Sequence, residues 1–244
     1  MSPPANQSRL AVRSPLQESR PLFTVGWHDA LFEHFRIRDE AAVEARLPPG
    51  LQLDRHTGAA YLSVVSFRMV SMRWRGWRLP LSHSYPQINV RVYVHHEGVP
   101  GVFFLRNYVS HRLAAWAGRA MYGVPYVHQP VALACDGNTM SCEATIAGQQ
   151  HLISGHASEP QTAHVDDPST LPFFLVERYP LYSHQERLMK AHMYHPPWPL
   201  QRLEPTERSW AVPSDLGLRQ ALQRLDEVRC STGVDVQMWA AEPC

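Results

Sequence analysis

Within residues 87–96 apolar and polar side chains alternate as far as His95. Ile88, Val90, Val92 and Val94 fall on one side, and Gln87, Asn89, Arg91, Tyr93 and His95 on the other. A period of two over this length predicts a β-strand with one apolar face and one hydrogen-bonding face, because a helix would mix the two sets. In an open sheet the polar face turns to water. In a sheet that closes on itself it can turn inward and line a cavity, where Arg91 would be a fixed cation for a carboxylate. Glu97-Gly98 and Pro100-Gly101 supply a turn, and residues 102–109 return as a second strand, so the pair reads as a hairpin.

Further strands are predicted over residues 59–77, 126–134, 139–146 and 149–157, with Asp136-Gly137-Asn138 as a hairpin turn. Residues 177–183 and 187–195 form another hairpin-like pair, with Glu177 and Tyr179 on one face and Arg178 on the other. Two last strands are expected around Glu227 and over residues 234–239, flanking Ser231-Thr232-Gly233. Helices are predicted over 27–35, where Trp27, Leu31, His34 and Phe35 share a stripe, and over 39–46, where Asp39 and Glu40 suit a first turn. A third runs over 110–120, capped by Ser110 and packed through Leu113, Ala114 and Ala117, and a short one lies around 168–175. Many hairpins and few helices predict a mainly β (α+β) chain: one antiparallel β-barrel domain over residues 22–244, with peripheral helices. Residues 1–21, rich in Pro, Ser and Gln, predict a disordered tail.

Composition narrows the function. Twenty-three basic and 22 acidic residues leave a net charge of +1, which gives no strong electrostatic case for a nucleic-acid or membrane partner. No apolar run reaches the roughly 20 residues of a membrane span. The first 21 residues lack the apolar segment of a secretory signal, although three arginines with no acid before Glu18 also fit an organellar presequence. Cys135, Cys142, Cys230 and Cys244 form no CxxC pair and read as reduced thiols in a cytoplasmic protein. Fourteen histidines invite a metal, but His95 and His96 point to opposite faces, and His192 and His195, three apart, diverge on a strand. No HExxH is present, so no metal site is expected. GxxxxGK[ST], GxGxxG and GxSxG are likewise absent, and no cofactor is expected. Edge hairpins leave room for a homodimer.

Six segments carry a resemblance: FTVGWHDALFEHF (23–35), YPQINVRVYV (85–94), GVFFL (101–105), YGVPY (122–126), FLVERYPLY (174–182) and HPPWPL (195–200). In this order they resemble the YqjF-like family, a bacterial family of unknown function that is similar to the acetoacetate decarboxylase-like superfamily. The resemblance implies a cone-shaped, mostly antiparallel barrel around a small-molecule cavity. In the decarboxylase, a strand glutamate in a Tyr-x-Glu context faces a lysine in a Gly-aromatic-Pro-Lys-Lys turn, and that lysine forms a Schiff base with a β-keto acid. The matching positions here are Gln87, after Tyr85-Pro86, and Tyr126-Val127, after Gly123-Val124-Pro125. An amide replaces the glutamate and no amine stands in the turn. Of the 23 bases, 22 are arginine, and the one lysine, Lys190, lies in the predicted 187–195 strand.

The expectation is therefore a small carboxylate- or carbonyl-bearing ligand held without Schiff-base chemistry. Arg91 would be its anchor, Gln87, Asn89 and Tyr126 its hydrogen-bonding partners and Tyr93 a wall. The alternative is an enzyme of non-Schiff-base type, running proton transfer, hydration or lyase chemistry on a keto or carboxylic acid. Tyr126, Glu177 or His195 would then be the acid or base.

Overall fold

A computed structural model describes residues 20–78, 84–158 and 167–244. Seven strands close on themselves. In spatial order they are β15 (Leu222–Met238), β1 (Phe23–Ile37), β4 (Ala59–Trp74), β6 (Tyr85–His96), β7 (Val99–Val109), β12 (Pro180–His184) and β13 (Leu188–Tyr194). Pairing of Met193 with Met238 and of Tyr194 with Gln237 joins β13 back to β15 and completes the ring. Every junction is antiparallel except that between β7 and β12. A second limb leaves β15 through β14 (Leu200–Ser209) and continues as β11 (Gln149–Ala157), β10 (Thr139–Ile146) and β9 (Val131–Asp136). Short strands pair on the flanks: β2 (Gln52–Leu53) with β6, β3 (Arg55–His56) and β5 (Trp77–Arg78) with β4, β8 (Tyr126–His128) with β7, and β16 (Glu242–Pro243) with β13. The helices are α1 (Glu40–Glu44), α2 (Arg112–Tyr122), α3 (Leu171–Val176) and α4 (Val212–Asp215).

The second limb explains why β6 is buried on both faces. Ile88, Val90, Val92 and Val94 pack outward with Leu62, Val64, Leu133, Cys142 and Ile153 in a core beneath the limb. Gln87, Asn89, Arg91 and Tyr93 consequently face into the ring, where Phe32, Val65, Phe67, Phe104 and Trp198 form a second core. Bulges adjust the faces, and two of them matter most for the ring interior. One lies on β1 between His28 and Leu31, with Asp29 at φ 53°. The other shifts the β6–β7 register between Val90 and Arg91. An extra residue reverses the side-chain alternation beyond it. Phe104 faces the ring before the bulge, and Asn107 and Val109 take that face after it. Tyr108 is thrown outward, where its hydroxyl donates to Asp215 at 2.5 Å.

The expected strands at 59–77, 87–96, 102–109, 139–146 and 149–157 are present as β4, β6, β7, β10 and β11. Residues 27–35 are not a helix but the middle of β1. Trp27, Ala30 and Phe32 face the ring while Leu31 and Phe35 face the outer core, and the bulge breaks the alternation enough to imitate a helical stripe. The two expected final strands are one, β15, running through Ser231-Thr232-Gly233, and β14 was not anticipated. Glu177 and Arg178 lie not in a strand but at the end of α3, where Glu177 is the C-cap. α2 is capped by His111, whose ring accepts from the Ala114 N–H, while Ser110 donates to the Pro86 carbonyl. Its buried residues are Ala115 and Tyr122, and Leu113 is exposed. The expected disordered tail lies outside the described residues up to position 19. No described helix is long and apolar enough to cross a membrane.

Candidate functional site

A mostly enclosed cavity of about 40 Å³ lies inside the ring. That exceeds the ~10–15 Å³ a single ordered water requires and admits a compact molecule rather than an extended one. Trp27, Phe32, Phe67, Phe104, Tyr122 and Trp198 supply its apolar walls, and Gln87, Asn89, Arg91, Tyr126, Arg178 and His195 its polar groups.

Arg91 is the least compensated of these. It is 8% exposed, its Nη2 donates to the Leu175 carbonyl at 3.1 Å, and its Nε has no partner. No described carboxylate forms an ion pair with it. Its guanidinium instead lies 6.0 Å from the Phe32 ring centroid and 5.8 Å from that of Tyr93. A buried cation left in this state is costly unless an anion joins it. Arg178 is different: Nη1 lies 2.8 Å from Oδ2 of Asp54, Nε donates to the Phe174 carbonyl at 2.8 Å, and the guanidinium sits 4.1 Å from the Phe174 centroid. Its charge is matched within the protein.

Other unsatisfied atoms surround Arg91. Gln87 Oε1 and Asn89 Oδ1 are buried acceptors without a partner, and Trp27 Nε1 is a buried donor without one. Together with Arg91 Nε, the lining residues offer both donors and acceptors, which suits a ligand carrying a carboxylate and a second polar group. Tyr126 adds a phenol. Burial raises its pKa, while the Asn107 amide facing the hydroxyl works the other way. The phenol is thus protonated at neutral pH and can donate. Its ring lies so close to Gly118 of α2 that a Cβ there would overlap it, so the absence of a side chain at Gly118 lets the helix close over Tyr126. Gly123, at φ 62°, ends α2 in the left-handed region and turns the chain toward Tyr126.

His195 is 2% exposed and reaches the same cavity. Its ring stacks on Tyr179 at 5.0 Å and tilts against Trp198 at 5.6 Å. Nδ1 lies 2.9 Å from the Pro196 carbonyl, which can only accept, so Nδ1 carries a hydrogen.

Two expected site residues do not line the cavity. Glu177 is buried with both oxygens occupied: Tyr179 donates to Oε2 at 2.6 Å and the Trp198 N–H to Oε1 at 3.0 Å, which ties α3 to the proline-rich segment. Tyr93 lies inside the ring but behind Arg91. Its hydroxyl is 2.6 Å from Ser63 Oγ, which is in turn 2.6 Å from His34 Nδ1. Burial first, and then the Arg91 and Arg229 charges, hold the pKa of His34 well below 6.5. Trp27, Phe32 and His34 escaped the sequence reading of the site because β1 was taken for a helix. Strand alternation from Phe32 to His34 was the available signal.

The family of uncharacterised conserved proteins designated DUF2071 matches residues 24–235. The chain belongs to the DUF2071 family. The uncharacterised protein YqjF of Bacillus subtilis strain 168 is 30% identical over 184 residues, covering 73% of this chain and 74% of YqjF. Among solved structures, an acetoacetate decarboxylase-like enzyme from Sphingomonas wittichii RW1 superposes with a TM-score of 0.66 at 15% identity, covering 93% of this chain and 94% of the other. The enduracididine biosynthesis enzyme MppR, complexed with the condensation product of pyruvate and imidazole 4-carboxaldehyde, gives 0.66 at 12% identity, covering 92% and 90%. At these identities the structural likeness establishes the fold, which is acetoacetate decarboxylase-like. In this DUF2071 member Gln87 and Tyr126 line one cavity, as an amide and a phenol. Lys190 is on the other face of β13 from Ala191 and Met193, which face the ring, and its Nζ lies 3.7 Å from Glu242.

Proposed function

We propose that this protein binds a small carboxylate-bearing metabolite inside the ring, with Arg91 as the anchor and no lysine in the chemistry. The uncompensated Arg91 in an enclosed cavity carries this reading. The orphan acceptors of Gln87 and Asn89 favour ligands with a hydroxyl or N–H next to the carboxylate. The donors Trp27 and Tyr126 favour ones with a neighbouring carbonyl. The position of Lys190 beside Glu242 supports chemistry without an imine, as does the phenol at position 126. The cavity volume favours the smallest acids, of about two or three carbons.

A thermal-shift screen of short oxo- and hydroxy-acids, each paired with its neutral amide, tests this. A ligand at 100 times its Kd stabilises by about 2.7 kcal/mol. For a chain of this size that is a rise in Tm of roughly 5–10 °C. The expected result is a shift with at least one acid and none with its amide. Equal shifts with acid and amide, or none across the panel at millimolar concentration, would remove Arg91 from a ligand site.

His195 supports a second reading, in which the protein moves a proton on the bound acid. Arg91 would hold the carboxylate, His195 would take a proton from the carbon next to a carbonyl, and the Tyr126 phenol would donate to the oxygen on which charge develops. NMR in D2O distinguishes this from simple binding. Catalysis predicts deuterium on the carbon next to the keto group of a bound oxo-acid, slowed at least 100-fold in His195→Gln. Binding alone predicts the rate of the acid in buffer.

A further inference from the structure

The even charge total conceals a segregation. Residues 55–135 contain nine arginines and a single acid, Glu97. Five of these arginines sit on two neighbouring elements that also expose large apolar side chains. The hairpin formed by the end of β4 and β5 presents Arg73, Arg75 and Arg78 with Trp74 and with Trp77, which is 77% exposed. Helix α2 presents Arg112 and Arg119 with Leu113, Met121 and Trp116, which is 67% exposed. At 100° per residue, Leu113, Trp116 and Met121 share one side of α2, opposite to the buried Ala115, and the two arginines lie along one edge of that stripe. None of the five arginines forms an ion pair with a described carboxylate.

The fold brings the two elements to one end of the ring. His111, the N-cap of α2, stacks on Tyr85 at 5.3 Å, and Tyr85 pairs with Met69 of β4. Tyr122, the last residue of α2, contacts Phe23 at 6.3 Å, and Phe23 pairs with Trp74. Tyr122 and Met69 also line the cavity, so both elements are anchored at the end of the ring to which the site belongs.

We infer that this end of the molecule docks on an anionic lipid surface. Arginines would meet headgroup phosphates, and Trp77, Trp116, Leu113 and Met121 would enter the acyl boundary. A second copy is disfavoured, because a two-fold contact through this face would oppose ten arginines and bring no acid to them. Leu113 and Met121 offer nothing to a nucleic-acid backbone, whereas both suit a lipid interface. Docking here would place the cavity end of the ring against the bilayer, which fits a ligand delivered from or released to the membrane surface.

The full chain is to be sedimented with vesicles of phosphatidylcholine alone and with vesicles containing 30% phosphatidylglycerol. Binding only to the anionic vesicles, with a blue shift of tryptophan emission, is expected. Each basic residue near such a surface contributes about fivefold in affinity. The triple variant R73Q/R75Q/R78Q should therefore bind at least tenfold more weakly, W77S/W116S should abolish the blue shift, and R202Q/R208Q on β14 should behave as wild type. Equal binding to both vesicle types, or none to anionic vesicles, overturns the inference. So does equal weakening by the β14 control, tighter binding to a single-stranded oligonucleotide, or a solution dimer that W77S/W116S dissociates. Unaltered circular dichroism and Tm in the variants separate a lost surface from a lost fold.

Discussion

Arg91→Met will move binding and stability in opposite directions. For binding, the variant loses the charge at the centre of the cavity. Truncating one side of a buried charge pair costs about 2–5 kcal/mol, which is roughly 30- to 5,000-fold in Kd. A carboxylate ligand that raises Tm in the wild type should leave the variant's Tm unmoved at the same concentration. For the unliganded protein the argument reverses. Arg91 spends one hydrogen bond on the Leu175 carbonyl, leaves Nε unpaired, and has no described carboxylate as a counter-ion. Replacing such a group with an apolar side chain of similar length removes the desolvation cost of the charge and keeps contact with Phe32 and Tyr93. Urea denaturation of the unliganded proteins should find the variant equal to the wild type or more stable by about 1–3 kcal/mol. A side chain kept only for the fold would show the reverse: loss of stability with ligand shifts unchanged. Arg178→Met supplies the contrast. It takes the guanidinium away from the buried Asp54 carboxylate and should destabilise the unliganded protein by about 3–5 kcal/mol.

Why Arg91 was legible in the sequence and its surroundings less so follows from what each depends on. Alternation along residues 87–96 determines which side chains share a face, and the structure places Gln87, Asn89 and Arg91 together for that reason. Whether that face met water or a cavity depended on the second limb, whose contacts with β1, β4 and β6 are distant in sequence. Tyr126 was reachable because a turn motif fixes its position relative to α2. His195 follows β13 directly, but nothing local to it specifies a cavity. β1 misled for a physical reason. A strand buried on both faces carries apolar residues at nearly every position, and with a bulge at Asp29 the remaining pattern fits either period. Glu177 shows the opposite failure. Its neighbours read as a strand face, yet its role is to hold the Trp198 N–H and the Tyr179 hydroxyl, two groups whose approach only the folded chain determines.

The hydrogen-bonded row behind Arg91 makes stability depend on pH in a specific direction. His34 is buried, its pKa is depressed by burial and then by the Arg91 and Arg229 charges, and in the unfolded chain it returns to about 6.5. Below that value the unfolded state binds a proton that the folded state refuses. Stability contributed by neutral His34 is therefore complete above pH 6.5 and declines as pH falls toward the depressed folded value. One proton gives a slope of at most about 1.4 kcal/mol per pH unit. The loss begins near pH 6.5 and ends at the depressed folded value. His34→Asn keeps a hydrogen-bonding atom near the position of Nδ1 facing Ser63 Oγ but cannot take the proton. Its urea midpoint at pH 8 should be lower than that of the wild type, because the ring stacked on Phe32 is lost. Below pH 6.5 the two curves should converge. Curves that stay parallel from pH 8 to 5 would show that His34 takes no part in the linkage. Ligand supplies an internal check, since a carboxylate on Arg91 cancels part of the charge that repels a proton from His34. The wild-type loss of stability should then end at a higher pH with the acid bound than without it. By the same linkage the acid should bind more tightly as pH falls through the depressed folded value of His34, and Arg91→Met should lose both effects.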